Sequence, residues 1–503
     1  MPVPASSDLP ALGVGLTYSS AIEPILQRWP DLVAVLEVEP QTTWTETRDP
    51  TQPYRVSDDV LAHIERLPGR KLVHSVGVPC GGTPRPEPYQ LGLLAHTVER
   101  LRSPWFSEHL SFNQAEGFFT GFFLPPRQTV EGVQAATRAI HDLQAALPVP
   151  VAVETGVNYL RPRADEMPDG VFVAQVAASA DCGILLDLHN IFCNAVNGRQ
   201  AIDDFLAPLP LDRVWEMHLA GGMEVEGYWL DAHSGAMPDA LFDMARRLIP
   251  RLPNLKAIIF EMMPSFLPAV GYDTVARELE RLHSLWASRR EPRGDGPVVR
   301  AEGEATSLPT AAAPPGSGPV VTPAAWESAL GALAVGRQAE GLIGRELAAD
   351  PGVGVIHRLI GEFRASMVVG VLRLTSRYLM LSLGPDVFRA LLQDFWSRHP
   401  PRPYASMEAE AFAAYLTRLD LQLPQLATVL RFERAVLATL LDGQPRVVAF
   451  DFDPFPLFRA LTEGRLPDEP GSVGNYEIEI TPDIPLATRQ VEETAARQTF
   501  PFH

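Results

Sequence analysis

The sequence predicts an α/β protein: a (β/α)8 barrel followed by a mainly helical α+β unit. Three observations carry this. Eight short apolar runs recur through residues 13–262, and runs of that length separated by helical stretches read as buried parallel strands. The stretches between most of them have apolar residues at helical spacing. The first run, GVGLTYS, lacks the GxGxxG phosphate turn that a doubly wound sheet would usually place there.

The strands fall near residues 13–19, 33–39, 71–78, 105–112, 151–157, 182–190, 213–220 and 256–262. Each run ends in polar residues. The first ends at Tyr18, and VAVLEVEP carries Glu37 and Glu39. KLVHS carries His74, WFSEHLS carries Glu108 and His109, and VAVETG carries Glu154. GILLDLHN carries Asp187, His189 and Asn190, VWEMHLAGG carries His218, and AIIFEMMP carries Glu261. Asp231 and His233 lie in the loop after the seventh run. The clearest helices between the runs are 87–101, 129–147, 169–180 and 239–252.

From about 288 to 322 the chain turns rich in Pro, Gly, Ala and Ser without hydrophobic period, which reads as a flexible linker. The barrel unit is therefore placed at 1–287 and a second unit at 323–503. AWESALGALAVGRQAEGLIGREL and VIHRLIGEFRASMVVGVLRLTSRYLMLSL each read as a helix, and three more follow. The helices are expected to stop near Gly443, after which VVAFDF and NYEIEIT read as strands. The aromatic, Gly-rich segment GFFTGFFLPP (117–126) is expected either as a lid over the barrel mouth or as packing on the rim or the second unit.

Composition narrows the function. At 503 residues the chain is too long for one ordinary core. A formal net charge of −19 sets the overall field against phosphate backbones, so nucleic acid is not expected as a partner. The longest apolar helical stretch is interrupted by Arg373 and Arg377, and no membrane span is expected. Three cysteines, Cys80, Cys182 and Cys193, with no CxxC pair and no evident signal peptide, fit a reducing cytoplasm. Cys80 and Cys193 lie near strand ends, either lining a pocket or packing as small hydrophobes, while His63 and His141 are expected at the surface.

In a closed barrel the C-terminal strand ends converge on one mouth. Imidazole and carboxylate ligands without thiolates favour Fe, Mn, Zn or Co. His74, His109 and His218 with Glu154, Asp187 and Glu261 exceed what one metal needs, and Asp231 and His233 bring the set to a size that suits two or three ions. A charge at the interior end of a barrel strand is costly unless paired or metal-bound. Glu37 reads as a salt-bridge partner or a substrate contact, and Asn190 and Asn194 as caps of the turn after the sixth strand or as site residues.

The segments GVGLTYS, LEVEP, VHSVGVPCGG, FSEHLSF, VETGVNYL, CGILLDLHNIFCNAVNG, MHLAGG, DAHSG and FEMM, in this order, resemble the multinuclear non-haem iron oxidases of ribosomal-peptide pathways, the MbnB and TglH type. The resemblance covers nearly all of residues 12–264. It implies a TIM barrel holding two or three iron ions, Fe(II)/Fe(III), that uses O2 to modify a cysteine or other residue of a ribosomal precursor peptide. The ligands it implies are His74, His109, Glu154, Asp187, His218, Asp231, His233 and Glu261, with Asn190 ligating or orienting. Glu154, Asp187 and His218 are the expected catalytic residues, and Glu37 and Asn194 the expected substrate-binding residues. Five positions depart from the family pattern. Thr155 stands for Asn, Glu108 for Asp, Gly222 for the His of an AGH motif, His189 for Asn, and Met262–Met263 for Arg-Asp. The Gly222 departure bears on one metal position or on the substrate pocket, and His189 is a candidate to compensate.

The second unit, through SRYLMLSLGPDVFRALLQDFWSRHPPRPYASMEAEAFAAYL and LPQLATVLRFERAVL, is similar to the helical partner proteins of these oxidases, the MbnC and TglI type. That similarity implies a peptide-recruiting domain fused in cis, at an effective concentration of about a millimolar through the linker. The two terminal strands either accept the peptide as an added strand, with Asp451, Asp453 and Glu477 facing a basic leader, or simply complete the domain's sheet. Two other readings remain at this stage. One is a divalent-metal hydrolase or isomerase related to the xylose isomerase and endonuclease IV type. The other is a non-catalytic metal-binding scaffold.

Overall fold

The barrel strands are short runs with almost every side chain buried, because one face meets the barrel interior and the other meets the helices. In the computed structural model, which describes residues 8–47, 49, 51–115, 117–289, 321–419, 421–468 and 471–482, these are β1 (Gly13–Thr17), β2 (Val35–Val38), β3 (Arg70–Ser75), β4 (Phe106–His109), β5 (Val151–Glu154), β6 (Gly183–Asp187), β7 (Val214–Ala220) and β8 (Ala257–Glu261). All seven residues of β7 and all five of β8 are buried. The strands pair in parallel in the order β1-β8-β7-β6-β5-β4-β3-β2 and close into a barrel. The expected architecture is therefore present, with every strand where the apolar runs placed it.

Helices α1 (Glu23–Arg28), α2 (Asp58–Arg66), α3 (Pro88–Leu101), α4 (Val130–Ala146), α5 (Asp169–Ala180), α6 (Leu188–Val196), α7 (Asp239–Leu248) and α8 (Tyr272–Ala287) follow the strands. α6 starts immediately at the end of β6, and Asp187 is its N-cap, accepting from the Asn190 backbone N–H at 2.8 Å. The end of the barrel away from the mouth is closed by Leu12, Leu72, Trp105, Ala152, Trp215 and Ile259. His63 and His141 are exposed, as expected.

The expected linker falls largely on residues 290–320, outside the described residues. The second unit contains α9 (Pro323–Ala334), α10 (Gly341–Ala348), α11 (Pro351–Val371), α12 (Arg373–Leu383), α13 (Pro385–Arg398), α14 (Ala405–Thr417) and α15 (Leu426–Asp442). Then come β9 (Arg446–Phe452), α16 (Phe455–Thr462) and β10 (Val473–Ile480). Three expectations need correction. The first expected helix divides into α9 and α10, because Gly336 and Gly341 take left-handed φ of +79° and +80°. The second divides at Leu372, because the buried Glu433 carboxylate accepts the backbone N–H groups of Leu374 and Thr375 at 2.7 and 2.8 Å and so caps a new helix start. Helix formation does not stop near Gly443, since α16 lies between the two strands. Its eight residues are too short for a periodicity signal.

The second unit has its own core, built on Leu379, Phe395, Phe412, Val429, Phe432 and Phe458. It also shares a core with the barrel loops. Trp326, Leu330 and Ile356 pack with Phe112, Leu124 and Tyr159. The hairpin of Phe112–Ala115 and Phe118–Leu124, which contains the aromatic segment, lies in this contact. Trp326 is 1 % exposed, donates its indole N–H to the Pro125 carbonyl at 3.0 Å, and lies under the Arg127 guanidinium at 5.0 Å. Glu327 accepts from the Thr83 backbone N–H at 2.8 Å, and Asp350 from the Arg161 backbone N–H at 3.0 Å. A Cβ at Gly352 would sit 2.1 Å from the Tyr159 carbonyl oxygen, so only glycine lets the start of α11 approach this loop. These contacts come from segments after β3, β4 and β5, so the second unit sits on the mouth side of the barrel. Trp326→Ala is expected to destabilise the chain by about 3–5 kcal/mol in urea unfolding and to expose the 112–124 hairpin to limited proteolysis.

Candidate metal centre

Strand register brings the predicted residues to one level. His109 pairs with Glu154 across β4 and β5, and Asp187 pairs with His218 across β6 and β7. Glu261 ends β8 opposite Ala220, two residues beyond His218. His74 lies opposite Ser107 on the other side of the cluster. Three overlapping groups result, each with candidate ligand atoms within 4.8 Å of one another: His74–His109–Glu154, Glu154–Asp187–His218 and Asp187–His233–Glu261.

In the first group the Nε2 atoms of His74 and His109 lie 3.2 and 2.9 Å from Glu154 Oε2. Nδ1 of His109 is 3.1 Å from the Ser75 carbonyl oxygen, which can only accept, so that nitrogen carries the proton and Nε2 faces the centre. Nδ1 of His74 is 3.0 Å from Ser107 Oγ. In the second group His218 Nε2 donates to Glu37 Oε2 at 2.9 Å. Its Nδ1 is left 3.3 Å from Glu261 Oε2 and 3.8 Å from Glu154 Oε1. In the third group His233 Nε2 lies 2.9 Å from Asp231 Oδ1 and 3.5 Å from Glu261 Oε2. His233 is held at φ +47°, a conformation that β-carbon-bearing residues adopt at a cost of about 1–3 kcal/mol. Asn190 donates from Nδ2 to Asp187 Oδ2 at 2.8 Å and to the Thr155 carbonyl at 3.2 Å. Both partners only accept, which fixes the amide and turns its Oδ1 away from them.

Five of these atoms, Glu154 Oε2, Asn190 Oδ1, His218 Nδ1, His233 Nε2 and Glu261 Oε2, are buried and make no hydrogen bond. A buried polar atom left so costs about 1–3 kcal/mol, and five in one cluster of nitrogen and oxygen donors fit metal ligation. The electrostatics agree. Burial pushes the Asp187 carboxyl well above the usual carboxylate range, and Glu261, Asp231 and Glu154 push it further. Burial opposes charge on Glu154 too, but the His109 and His74 imidazoles outweigh it and hold Glu154 well below that range. Burial disfavours the His218 imidazolium, yet Glu261 and Glu37 raise it well above the usual value. Protons on the imidazoles are one way to balance these carboxylates. Divalent cations are the other, and their binding would release those protons.

The sequence profile of the RiPP precursor modification enzymes MbnB/TglH/ChrH matches residues 11–286. The chain belongs to this family. A UPF0276 protein of Anaeromyxobacter sp. (strain Fw109-5) is 31% identical over 231 residues, covering 44% of this chain and 80% of that one. A UPF0276 protein of Chromobacterium violaceum is 30% identical over 227 residues, covering 45% and 82%. A third, from Streptomyces avermitilis, is 30% identical over 236 residues that cover 44% of this chain and 48% of that one, so more than half of that relative also lies outside the match. A xylose isomerase domain protein from Planctomyces limnophilus aligns with 55% of this chain and 97% of its own at 14% identity, with a TM-score of 0.36. Endonuclease IV from Thermus thermophilus aligns with 55% and 99% at 14% identity, with a TM-score of 0.35. At these scores the likeness carries no functional argument.

The departures from the MbnB/TglH/ChrH pattern have visible consequences. Thr155 Oγ1 accepts from the Asp187 backbone N–H at 3.0 Å, tying β5 to the start of α6. Glu108 accepts from the backbone N–H groups of Val78 and His109 at 3.1 and 2.8 Å and so braces the loop after β3. At Gly222 a Cβ would lie 2.3 Å from Trp229 Nε1 and 2.6 Å from the Leu230 carbonyl oxygen, so the Trp229 indole occupies the room a side chain there would need.

Two expected substrate-binding residues are placed elsewhere. Glu37 is fully buried inside the barrel, where it accepts from His218 Nε2 and from Thr17 Oγ1 at 3.0 Å. Asn194 is 3 % exposed and braces the loop after β5, accepting from the Asn158 backbone N–H at 2.7 Å and donating to the Gly156 carbonyl at 3.2 Å. Neither lines the cavity of about 100 Å³ at the mouth, whose walls include His109, Glu154, Asp187, His233, Phe122 and Phe123. All three cysteines are buried and none lines this cavity; Cys80 Sγ donates to the His109 carbonyl at 3.3 Å.

Two contributors, Glu216 and Trp229, escaped the sequence reading. Glu216 lies two residues before His218 on the same interior face of β7, a period-two signal available in the sequence. Its carboxyl accepts the Trp105 indole N–H at 3.0 Å and is pushed up to about 7 by burial and by neighbouring Glu37. Burial also opposes charge on Glu37, but His218 and His74 outweigh it and bring that carboxyl down to about 2. Phe123 stacks on the His109 ring at 4.0 Å, and Trp229 contacts His189; both lie in hairpins that periodicity does not position. Glu39, just past β2, is pushed up by burial with the site's own charges around it. Because Glu37 anchors the proton-bearing nitrogen of His218, Glu37→Gln is expected to weaken metal binding by about 10–100-fold in chelator competition. The Michaelis constant for the peptide is expected to stay unchanged at saturating metal.

Proposed function

We propose that the chain is an iron- and O2-dependent oxidase that modifies one residue, a cysteine as first candidate, of a ribosomally synthesised precursor peptide. The observation that carries this reading is the string of three overlapping imidazole–carboxylate groups, free of thiolate, at the mouth of a barrel of the RiPP precursor modification family. Four carboxylates, Glu154, Asp187, Asp231 and Glu261, balance two divalent ions, and nitrogen and oxygen donors suit iron. His74, His109 and Glu154 would hold one ion. Glu154, Asp187, His218 and Glu261 would hold a second, and Asp231, His233 and Asn190, with shared Asp187 and Glu261, a third. Bound iron would supply the one-electron steps between the substrate residue and dioxygen, the oxidant.

The chain's own residues do the rest. Glu154 and Asp187 are each shared by two neighbouring groups, and His218 lies in the middle group between them, so these three would link the ions. Phe122 and Phe123 line the cavity beside His109 and keep water from that side. The fused second unit recruits the peptide. Among the described residues β9 and β10 pair only with each other, which leaves an edge on each for an added strand. Asp451, Glu477 and Glu479 are exposed on this sheet and suit a basic leader, whereas Asp453 accepts from the Phe455 backbone N–H at 3.0 Å and caps α16.

Metal content by mass spectrometry on protein expressed with added iron tests the site. Two or three irons per chain are expected, falling in His109→Ala and further in Asp187→Ala, because Asp187 belongs to two groups. Stoichiometric zinc, or no metal in a folded sample, would overturn the iron assignment. Glu477→Lys with Glu479→Lys is expected to weaken binding of a basic leader peptide at least tenfold at low salt, with metal content unchanged.

A further inference from the structure

Three side chains outside the ligand groups gather beside Asp231: His189 and Cys193 on α6, and Trp229 on the hairpin after β7. His189, Cys193 and Asp231 place candidate ligand atoms within 4.8 Å of one another, so by composition they could hold an ion of their own. The hydrogen bonds point elsewhere. The Trp229 indole N–H can only donate, and it faces His189 Nε2 at 3.3 Å. That nitrogen therefore presents its lone pair, and the ring proton sits on Nδ1. Nδ1 lies 2.8 Å from Asp231 Oδ1 and donates to it. A ring that ligated a metal through Nδ1 would carry its proton on Nε2, directed at the indole N–H. The only other neighbour in the group, Cys193 Sγ, is 3.7 Å from Nε2 and completely buried.

We infer that Trp229 and His189 form a relay that holds the Asp231 carboxylate in place, with His189 a positioning residue and not a ligand. The indole sets the tautomer, the imidazole donates one hydrogen bond to Oδ1, and the remaining lone pairs of Asp231 stay directed to the side where His233 Nε2 lies at 2.9 Å. The relay also accounts for Gly222. The Trp229 indole fills the space at that position, and His189, which stands where the family pattern has Asn, receives the indole's hydrogen bond. Two departures from the pattern, Gly222 and His189, are then linked through Trp229: a side chain is lost at 222, and its place is taken by the indole of 229 and the imidazole of 189. The inference rests on the reading of Asp231, His233 and Glu261 as metal ligands.

The test is the number and affinity of ferrous ions bound by the full chain, by mass spectrometry and chelator competition. His189→Leu is expected to weaken the most loosely held ion by about 10–100-fold. His189→Asn, whose amide N–H can reach the place of Nδ1, is expected to recover most of that affinity, and Trp229→Phe to weaken it by a smaller factor. Cys193→Ser is expected to change nothing. Loss of an ion in Cys193→Ser, or equal loss in His189→Asn and His189→Leu, would make these residues ligands and overturn the positioning role. Unchanged affinity in His189→Leu would overturn it as well. Asp231→Ala separates the two readings. If it keeps every ion, the metal assignment of Asp231 fails. If it loses one while His189→Leu loses none, only the relay fails.

Discussion

The withdrawal of carboxylates and imidazoles from water at the barrel mouth is the constraint on which the rest of this structure depends. Glu154, Asp187 and His218 are at most 2 % exposed. Groups so placed are stable only when each polar atom has a fixed partner. Most of the surrounding chemistry is the answer to that demand. Glu37 takes the outer proton of His218, Ser75 takes that of His109, Thr155 and Asn190 hold Asp187, and His189 holds Asp231. What these partners leave over is a set of inward-facing nitrogen and oxygen atoms that make no hydrogen bond and meet one another at the centre of the cluster, as a candidate metal site requires.

The second unit belongs to the same problem. It covers loops that follow β3, β4 and β5 and shares a hydrophobic core with them. The hairpin that carries Phe123 against His109 is packed on its other side by α9 and α11, so the barrel and the second unit meet across a few residues beside the first ligand group.

The departures from the family pattern are absorbed locally. Thr155 and Glu108 still tie the strand ends to neighbouring loops through backbone hydrogen bonds. Gly222 is filled from another position by Trp229. Met262 is buried and Met263 exposed, and nothing in the structure assigns either a role at the site. The arrangement survives because the barrel register, and not the residues between them, sets the spacing of His109, Glu154, Asp187 and His218.

The amino-acid sequence by itself determined the barrel, its strand positions and the residues at the strand ends. Runs buried on both faces must be apolar throughout, and a polar residue that interrupts such a run at its end is conspicuous. It also located Asp231 and His233, through their place in the loop after the seventh strand. Only the tertiary structure decided which of these residues touch and what the remaining ones do. Glu37 read as a salt-bridge partner or a substrate contact, and Asn194 as a turn cap or a site residue; closure of the barrel put the first beneath His218 and loop packing put the second against Gly156 and Asn158. The break of the second-unit helix at Leu372 depends on Glu433, 59 residues from Leu374 in sequence. The partnership of Trp229 with His189 depends on a hairpin folding back over α6. In each case the deciding contact joins residues distant in sequence, and no periodicity or composition records it.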